Sequence, residues 1–172
     1  MATEHHDAID ARSGQAIRLT STDGRIDSLI PLLAASPGLP WLLPPLVDLQ
    51  VNGYAGIDFQ RDDTTAAELT QAVDGLAAAA CSRILLTLIT DQWDRLLARL
   101  RRYRELRDSS PQLRRRIAGW HIEGPFLSAQ PGFHGAHPPE HMLEPTPERM
   151  RELRAAAGDD PVLVTLAAEW PG

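Results

Sequence analysis

The stretch Arg83–Thr90, which reads Arg-Ile-Leu-Leu-Thr-Leu-Ile-Thr, is a nearly unbroken apolar run between two segments of helical periodicity. Such a run is typical of a β-strand that is covered on both faces, as the strands of a parallel sheet are. On its N-terminal side Thr65 begins a capping box, and apolar residues follow at helical spacing. On its C-terminal side Asp91 can cap a helix whose apolar stripe begins at Trp93. A strand flanked by helices in this way predicts an α/β fold.

The same alternation continues outward in both directions. Further strands are predicted at Leu46–Val51, Ile117–Ile122 and Val162–Ala167, and a third helix begins after Thr146. A βαβαβαβ pattern predicts a parallel sheet with right-handed crossovers. By itself the pattern fits either an open doubly wound sheet or part of a closed (β/α)8 barrel. In both architectures the chemistry lies at the carboxyl ends of the strands.

Composition limits the classes of function. The 172 residues carry 17 basic and 23 acidic side chains, which gives a net charge of −6. This acidic balance argues against a nucleic-acid-binding protein whose affinity comes from neutralising phosphate groups. The arginine-rich segment 95–116 is interpreted as a solvated helix face rather than a nucleic-acid contact. No apolar stretch approaches the roughly 20 residues of a membrane helix, and the N-terminus is unlike a signal peptide. We expect a cytoplasmic protein that binds neither nucleic acid nor membrane, with Cys81 as a packed thiol.

The first 44 residues differ from the rest. Two short strands are predicted at residues 16–20 and 26–33, joined by a hairpin turn at Asp23-Gly24. Proline and glycine at residues 36–38 and 44–45 then mark a linker. We expect residues 1–44 to form a β segment with its linker and residues 45–172 to form the α/β region.

Two strand ends carry polar residues on one face. Asp48, Gln50 and Asn52 alternate at the end of one strand, where either a wet cavity or an ordinary Asn-Gly turn accounts for them. His121 and Glu123 alternate at the end of another. A carboxylate beside an imidazole is a candidate site for a divalent cation, and the alternative is an ion pair or a hydrogen-bonded buried histidine.

The loop at residues 124–145 contains His134, His137 and His141. Loops of this length between helices and strands are usually functional, so these histidines are candidates for binding anions or metal, with an exposed loop of no special role as the alternative. His-x-Glu also opens the zinc nucleobase-deaminase signature, which requires Pro-Cys-x-x-Cys downstream. The one cysteine, Cys81, lies upstream, and that interpretation fails.

Four segments taken together resemble the N-acetylglucosamine-6-phosphate deacetylase family of the amidohydrolase superfamily: Pro45–Gly53, Thr87–Thr90, His121–Phe126 and Gly135–Pro138. The similarity runs from about Pro45 to the end of the chain. It implies a partial (β/α)8 TIM barrel, with the first four strands and three helices in this chain. It also implies that residues 16–33 belong to a small β-sandwich that precedes the barrel.

The resemblance implies roles for six residues: Glu123 as metal ligand, Ala136 and His137 in contact with an amino-sugar phosphate substrate, and Gln50, Asn52 and His121 as lining of the active site. Gln50 and Asn52 stand where many amidohydrolases carry His-x-His, which implies a single divalent ion, zinc. The implied reaction is hydrolysis of the acetamide by a water molecule that the metal activates. A carboxylate takes the proton of that water and passes it to the leaving amine.

In the family, two histidine ligands and the catalytic aspartate follow the fourth strand. None of the remaining histidines of this chain matches those roles. We therefore expect an incomplete metal site, no general base within the chain, a truncated enzyme, and no competent deacetylation by the chain alone. The resemblance implies a homodimer for the full-length enzyme. The alternative function is that of a non-catalytic fragment for sugar-phosphate binding or protein interaction.

Overall fold

The computed structural model describes residues 2–34 and 36–170, which fall into two compact units, Met1–Pro44 and Pro45–Gly172. The first unit is a four-stranded sheet of β1 (Thr3–Asp10), β2 (Ala16–Thr22), β3 (Arg25–Pro31) and β4 (Trp41–Leu42), in the order β3-β2-β1-β4. The predicted hairpin is confirmed. Its turn residues Asp23 and Gly24 have φ of 51° and 77°, the left-handed conformation that two-residue hairpin turns favour.

The second unit follows the predicted alternation of strands and helices. Its elements are β5 (Leu46–Val51), β6 (Gly53–Tyr54), β7 (Ile57–Asp58), α1 (Ala66–Ala78), β8 (Cys81–Ile89), α2 (Trp93–Asp108), α3 (Pro111–Arg116), β9 (Ile117–Glu123), α4 (Pro147–Ala157) and β10 (Val162–Thr165). The main sheet has the order β10-β9-β8-β5, and all of its pairs are parallel. It curls as a half-barrel does, which confirms the mixed α/β class.

Three details of the second unit differ from the predictions. The prediction of three helices is wrong, because the segment after α2 forms the separate helix α3. Ser110 caps that helix by accepting a hydrogen bond from the Leu113 amide, and Pro111 occupies its first position. The fourth strand ends at Thr165 rather than at residue 167. Asp91 does not cap α2; its carboxylate accepts a hydrogen bond from Arg99 at 3.0 Å instead.

The core lies where α1 and α2 pack on the sheet. The capping box of α1 is present as predicted, since Thr65 Oγ1 accepts from the Glu68 amide while the Glu68 carboxylate accepts from the Thr65 amide. The predicted apolar stripe of α2 is buried in its middle and only partly buried at Trp93 and Leu106, and Cys81 is packed within the same core. The largest fully buried side chains are Trp120, Tyr103, Phe59 and Phe126. Burial of these rings and of the surrounding leucines fixes the strand ends discussed below.

Two arginines of the supposed solvated face are buried, so that interpretation is wrong for them. Arg99 is 3% exposed and binds Asp62 and Asp91 at 2.8 and 3.0 Å. Arg107 is 7% exposed, binds Asp160 at 2.8 Å and lies over the Trp120 ring. These arginines are structural ion-pair partners, because each guanidinium group binds two carboxylates. In the described residues, no helix combines the length and the apolar character that a bilayer crossing requires.

Candidate active site at the carboxyl ends of the strands

Glu123 and His137 face each other at the carboxyl end of β9. The Glu123 Oε1 atom lies 3.9 Å from Nε2 of His137, and the two side chains are 22% and 17% exposed. Gly124 follows with φ of 85°, which turns the chain sharply away from the strand. The long loop then brings His137 back over the strand end. A partly buried carboxylate and imidazole therefore meet at the edge of the sheet where parallel folds carry their chemistry.

The His137 ring is held from its other nitrogen. Nδ1 lies 2.9 Å from Oγ1 of Thr90, the residue immediately after β8. The backbone around His137 is also closed, because its amide donates to the carbonyl oxygen of His134 at 3.1 Å. The His134 ring returns a contact of 3.1 Å from Nδ1 to the carbonyl oxygen of His137. His134 thus shapes the loop, while His137 points toward Glu123.

His121 has a different environment although it lies two residues before Glu123. Its ring is 2% exposed and sits between two threonine hydroxyls, with Nδ1 3.4 Å from Thr87 and Nε2 2.8 Å from Thr165. Burial lowers the pKa of His121 below its ordinary value, and the Glu123 carboxylate offsets this only in part. Of the two possibilities that the sequence leaves open, the structure favours the hydrogen-bonded buried histidine.

The other predicted site residues are exposed. Gln50, Asn52 and Ala136 all lie at the surface of the second unit. The Gln50 amide donates to Asp48 Oδ1 at 3.0 Å, and the pairing of β5 with β8 shifts register between Asp48 and Val51. In the part of the chain that the structure describes, neither Gln50 nor Asn52 forms a hydrogen bond with Glu123 or His137 through its side chain.

Three polar residues that the sequence does not predict for the site hold its strands in place. Gln60 donates to the carbonyl oxygen of Thr87 and accepts from the Ile89 amide, both at 3.0 Å. Thr87 accepts from the Val51 amide at 2.9 Å, and Thr90 contacts His137 as described. In the sequence, Thr87 and Thr90 could be recognised as candidates because they are hydroxyl residues within, or directly after, a predicted buried strand. The role of Gln60 has no comparable signal, because it lies in a loop.

The side chains at the strand end decide whether a divalent ion could bind there. Glu123 offers a carboxylate oxygen and His137 an imidazole nitrogen, which are ordinary zinc ligands. His121 is not available, since both of its ring nitrogens face hydroxyl groups. Within residues 2–34 and 36–170, no three His, Cys, Asp or Glu side chains are grouped so as to hold a metal ion. Glu123 fits the role of one ligand, but the described residues do not make a complete catalytic zinc site.

A cleft of about 490 Å³ lies elsewhere at this end of the second unit. It is lined by Ser128, Ala129, Gln130, Glu169 and Trp170. The Trp170 indole donates to the carbonyl oxygen of Phe126 at 2.9 Å, which ties the segment after β10 to the loop after β9. Neither Glu123 nor His137 lines this cleft, so the polar pair and not the cleft defines the candidate site.

Comparison with known proteins reveals what the chain is similar to. No protein-family model matches it. The N-acetylglucosamine-6-phosphate deacetylase of Haemophilus influenzae is 33% identical over 125 residues, which cover 73% of this chain and 31% of that relative. The resemblance to N-acetylglucosamine-6-phosphate deacetylase is confirmed. The chain spans about a third of the length of the curated relatives that it matches.

Solved structures of N-acetylglucosamine-6-phosphate deacetylases are also similar to the chain. N-acetyl-D-glucosamine-6-phosphate deacetylase from Mycobacterium smegmatis is 25% identical with a TM-score of 0.74, and the match covers 100% of this chain and 49% of that one. A variant of the M. smegmatis deacetylase in complex with N-acetyl-D-glucosamine-6-phosphate gives a TM-score of 0.75 at 24% identity, over 100% of this chain and 45% of that one. These structures share the fold of the chain.

Proposed function

We propose that the chain contributes part of a hydrolytic deacetylase site for an N-acetyl-amino-sugar 6-phosphate, on the first four strands of a (β/α)8 barrel. The observation that carries this proposal is the pair of Glu123 and His137, whose side chains face each other at 3.9 Å beyond β9. The parallel order of the sheet supports it, because barrel enzymes carry their chemistry at this end. Similarity to the deacetylases gives the class of substrate.

The residues of the pair have separate roles in this proposal. Glu123 supplies one oxygen ligand to a single divalent ion, zinc, which when bound acts as a Lewis acid toward the acetamide. His137, with Ala136 beside it, contacts the sugar phosphate. Gln50 and Asn52 line the approach to the site. Residues 16–33, with the rest of the N-terminal sheet, belong to a small β-sandwich, and the full-length enzyme is a homodimer; the resemblance alone supports both. The single cysteine, Cys81, supports a cytoplasmic location.

We also propose that the chain by itself does not reach ordinary deacetylase turnover. Glu123 is one ligand, and the described residues contain no group of three that could hold the ion. Catalytic zinc sites use three protein ligands and an open position. The test is release of acetate from N-acetylglucosamine 6-phosphate by the purified chain with added zinc. Turnover in the usual range of about 1–10³ per second would refute this part of the proposal.

Binding tests the site separately from turnover. Calorimetric titration with N-acetylglucosamine 6-phosphate, with zinc and then with a chelator, measures ligand affinity and its dependence on metal. We expect His137→Asn to weaken binding and Glu123→Gln to remove the dependence on zinc. His6→Gln is the matched control, because His6 is an exposed histidine of the other unit. Equal affinities for the chain and for His137→Asn would contradict the assigned role of His137.

One observation favours a second candidate function, a non-catalytic sugar-phosphate-binding module. The His137 loop is well formed, with the ring and backbone both anchored, whereas the described residues lack a full set of metal ligands. A module of this kind binds the sugar phosphate equally with and without zinc. The chelator titration therefore separates the two functions, since a deacetylase site requires binding that zinc strengthens.

A further inference from the structure

A second cavity of the second unit lies at the amino ends of the strands, at the opposite end from the candidate site. Its volume is about 370 Å³, and it is lined by Ile117, the first residue of β9, and by Asp160, just before β10. Three aspartates and four arginines line it, and the arginines are Arg83, Arg104, Arg107 and Arg114. This amino-end cavity is therefore locally basic on a chain whose net charge is −6.

Arg107 is the buried arginine of the amino-end cavity. Its guanidinium binds Asp108 and Asp160 at 2.8 Å each and lies 5.1 Å from the centre of the Trp120 ring. These contacts make Arg107 part of the structure, and together with its two aspartates it carries one net negative charge. Three further arginines and the exposed Asp159 leave the cavity with one positive charge in excess. A concave surface focuses the field of such a charge and attracts anions.

The other three arginines of the cavity have few contacts, and these are long. Arg104 Nη1 lies 3.4 Å from the carbonyl oxygen of Ala156, and its Nε lies 3.9 Å from Asp108. Arg114 Nη2 lies 3.4 Å from the Asp108 carboxylate and 3.5 Å from the Asp108 carbonyl oxygen. Ordinary N–H···O bonds measure about 2.7–3.2 Å. Within residues 2–34 and 36–170, the Arg83 guanidinium forms neither a hydrogen bond nor an ion pair. The N–H groups of these three arginines are therefore available to a ligand.

The backbone at Gly158 holds the guanidinium of Arg104 at the cavity. Gly158 follows α4 with φ of 67°, and a Cβ at that residue would come within 2.8 Å of the Arg104 Cζ atom. Because Gly158 has no side chain, the planar guanidinium packs directly against the backbone at the end of α4. A guanidinium that the fold already positions loses less conformational entropy when it binds a ligand.

We propose that the amino-end cavity binds the phosphate group of a small anion through the N–H groups of Arg83, Arg104 and Arg114. The planar fork of a guanidinium pairs with two phosphate oxygens at once, and a phosphate group has enough oxygens for several arginines. The volume of the cavity lies near the lower end of the range for small-molecule sites, roughly 300–1,000 Å³. Asp159 lines the cavity as well and repels the anion. This inference does not rest on the proposed function, because the candidate site lies at the other end of the strands.

The first experiment locates the anion by NMR of the arginine Nε–H groups in the ¹⁵N-labelled chain, and each signal is assigned by its loss in the corresponding Arg→Gln variant. Inorganic phosphate and glycerol 3-phosphate are the probes, and each replaces chloride at constant ionic strength, because added salt alone screens charges. We expect saturable shifts at Arg83, Arg104 and Arg114. Arg151 is the control, since it is an exposed arginine of α4 that does not line the cavity. Equal shifts at Arg151, or no shift at the three arginines with either probe, would overturn the proposal.

The second experiment measures affinity for the probe that binds more tightly, which also tells free phosphate from a phosphate ester. Arg83→Gln and Arg114→Gln each weaken binding roughly two- to tenfold, as loss of one hydrogen bond does, whereas Arg151→Gln removes the same charge without effect. Asp159→Asn strengthens binding roughly twofold, because an exposed repelling carboxylate is removed. Circular dichroism verifies that each variant is folded. Equal affinity in Arg83→Gln, Arg114→Gln and the unchanged chain refutes the assignment, and so does loss of binding in His137→Asn, which would place the anion at the candidate site.

Discussion

Replacement of Thr87 by valine isolates one hydrogen bond that attaches the edge strand β5 to the sheet. Thr87 is fully buried, and its hydroxyl oxygen accepts from the Val51 amide at 2.9 Å. Val51 is 6% exposed and is the last residue of β5. Thr87→Val keeps the shape of the side chain but leaves that amide without its acceptor, because β5 and β8 shift register just before this point.

The expected cost follows from the asymmetry of hydrogen bonding. A buried donor left unpaired costs about 1–3 kcal/mol, which is more than the net gain from an average hydrogen bond. The Thr87 hydroxyl also contacts the His121 ring, but at 3.4 Å this hydrogen bond is weaker than the bond to the Val51 amide. We therefore expect Thr87→Val to lower the free energy of unfolding by about 2 kcal/mol. In urea this moves the midpoint by about 1 M, for a slope of about 2 kcal/mol per M.

Thr87→Ser is the matched control, because it keeps the hydroxyl and removes one methyl group worth about 0.8 kcal/mol of burial. The two variants differ most clearly in hydrogen exchange of the Val51 amide, which we expect to become fast in Thr87→Val and to stay protected in Thr87→Ser. Unfolding is measured by circular dichroism in urea. Unchanged protection of the Val51 amide in Thr87→Val would refute the reasoning, whatever the change in midpoint.

Three further predictions concern the rest of the second unit. Hydrogen bonds from Thr65 and Arg61 lower the pKa of Glu68 to about 2, so its stabilising effect is present above pH 4.5 and is lost as the pH falls toward 2. We therefore expect the free energy of unfolding of Glu68→Gln, measured in urea, to depend less on pH between 4.5 and 2 than that of the unchanged chain. Arg107→Leu removes the arginine partner of Asp160, whereas Asp108 keeps Arg114 at 3.4 Å. We expect stability to fall by about 2 kcal/mol in thermal unfolding, below the 3–5 kcal/mol of fully buried pairs. Gly124→Ala destabilises more than Gly132→Ala in the same melts, because both have φ near 90° but only Gly124 meets another atom.

The parts of the fold that could be predicted depend on local pattern. The apolar run of β8 and the capping box of α1 identify their elements without reference to any other segment. The strand β1 has no such signal, because Glu4, His5, His6 and Asp7 are polar and its partner β2 supplies the pairing. The sequence does not predict the burial of Arg99 either, because its partner Asp62 lies 37 residues away and comes close only when α2 packs on the sheet.

The candidate site illustrates the same division between local pattern and tertiary contact. Alternation along a strand places His121 and Glu123 on one face, and both were candidates for the same chemistry. Their difference arises from neighbours 34 and 44 residues away, since Thr87 and Thr165 occupy both nitrogens of the His121 ring. Glu123 lies two residues further along the strand, where the sheet ends and His137 approaches from the loop. An imidazole already held by two hydroxyls stabilises the strands, whereas a carboxylate beside a partly exposed imidazole can still bind a ligand. For this reason we assign the chemistry to Glu123 and His137 and a structural role to His121.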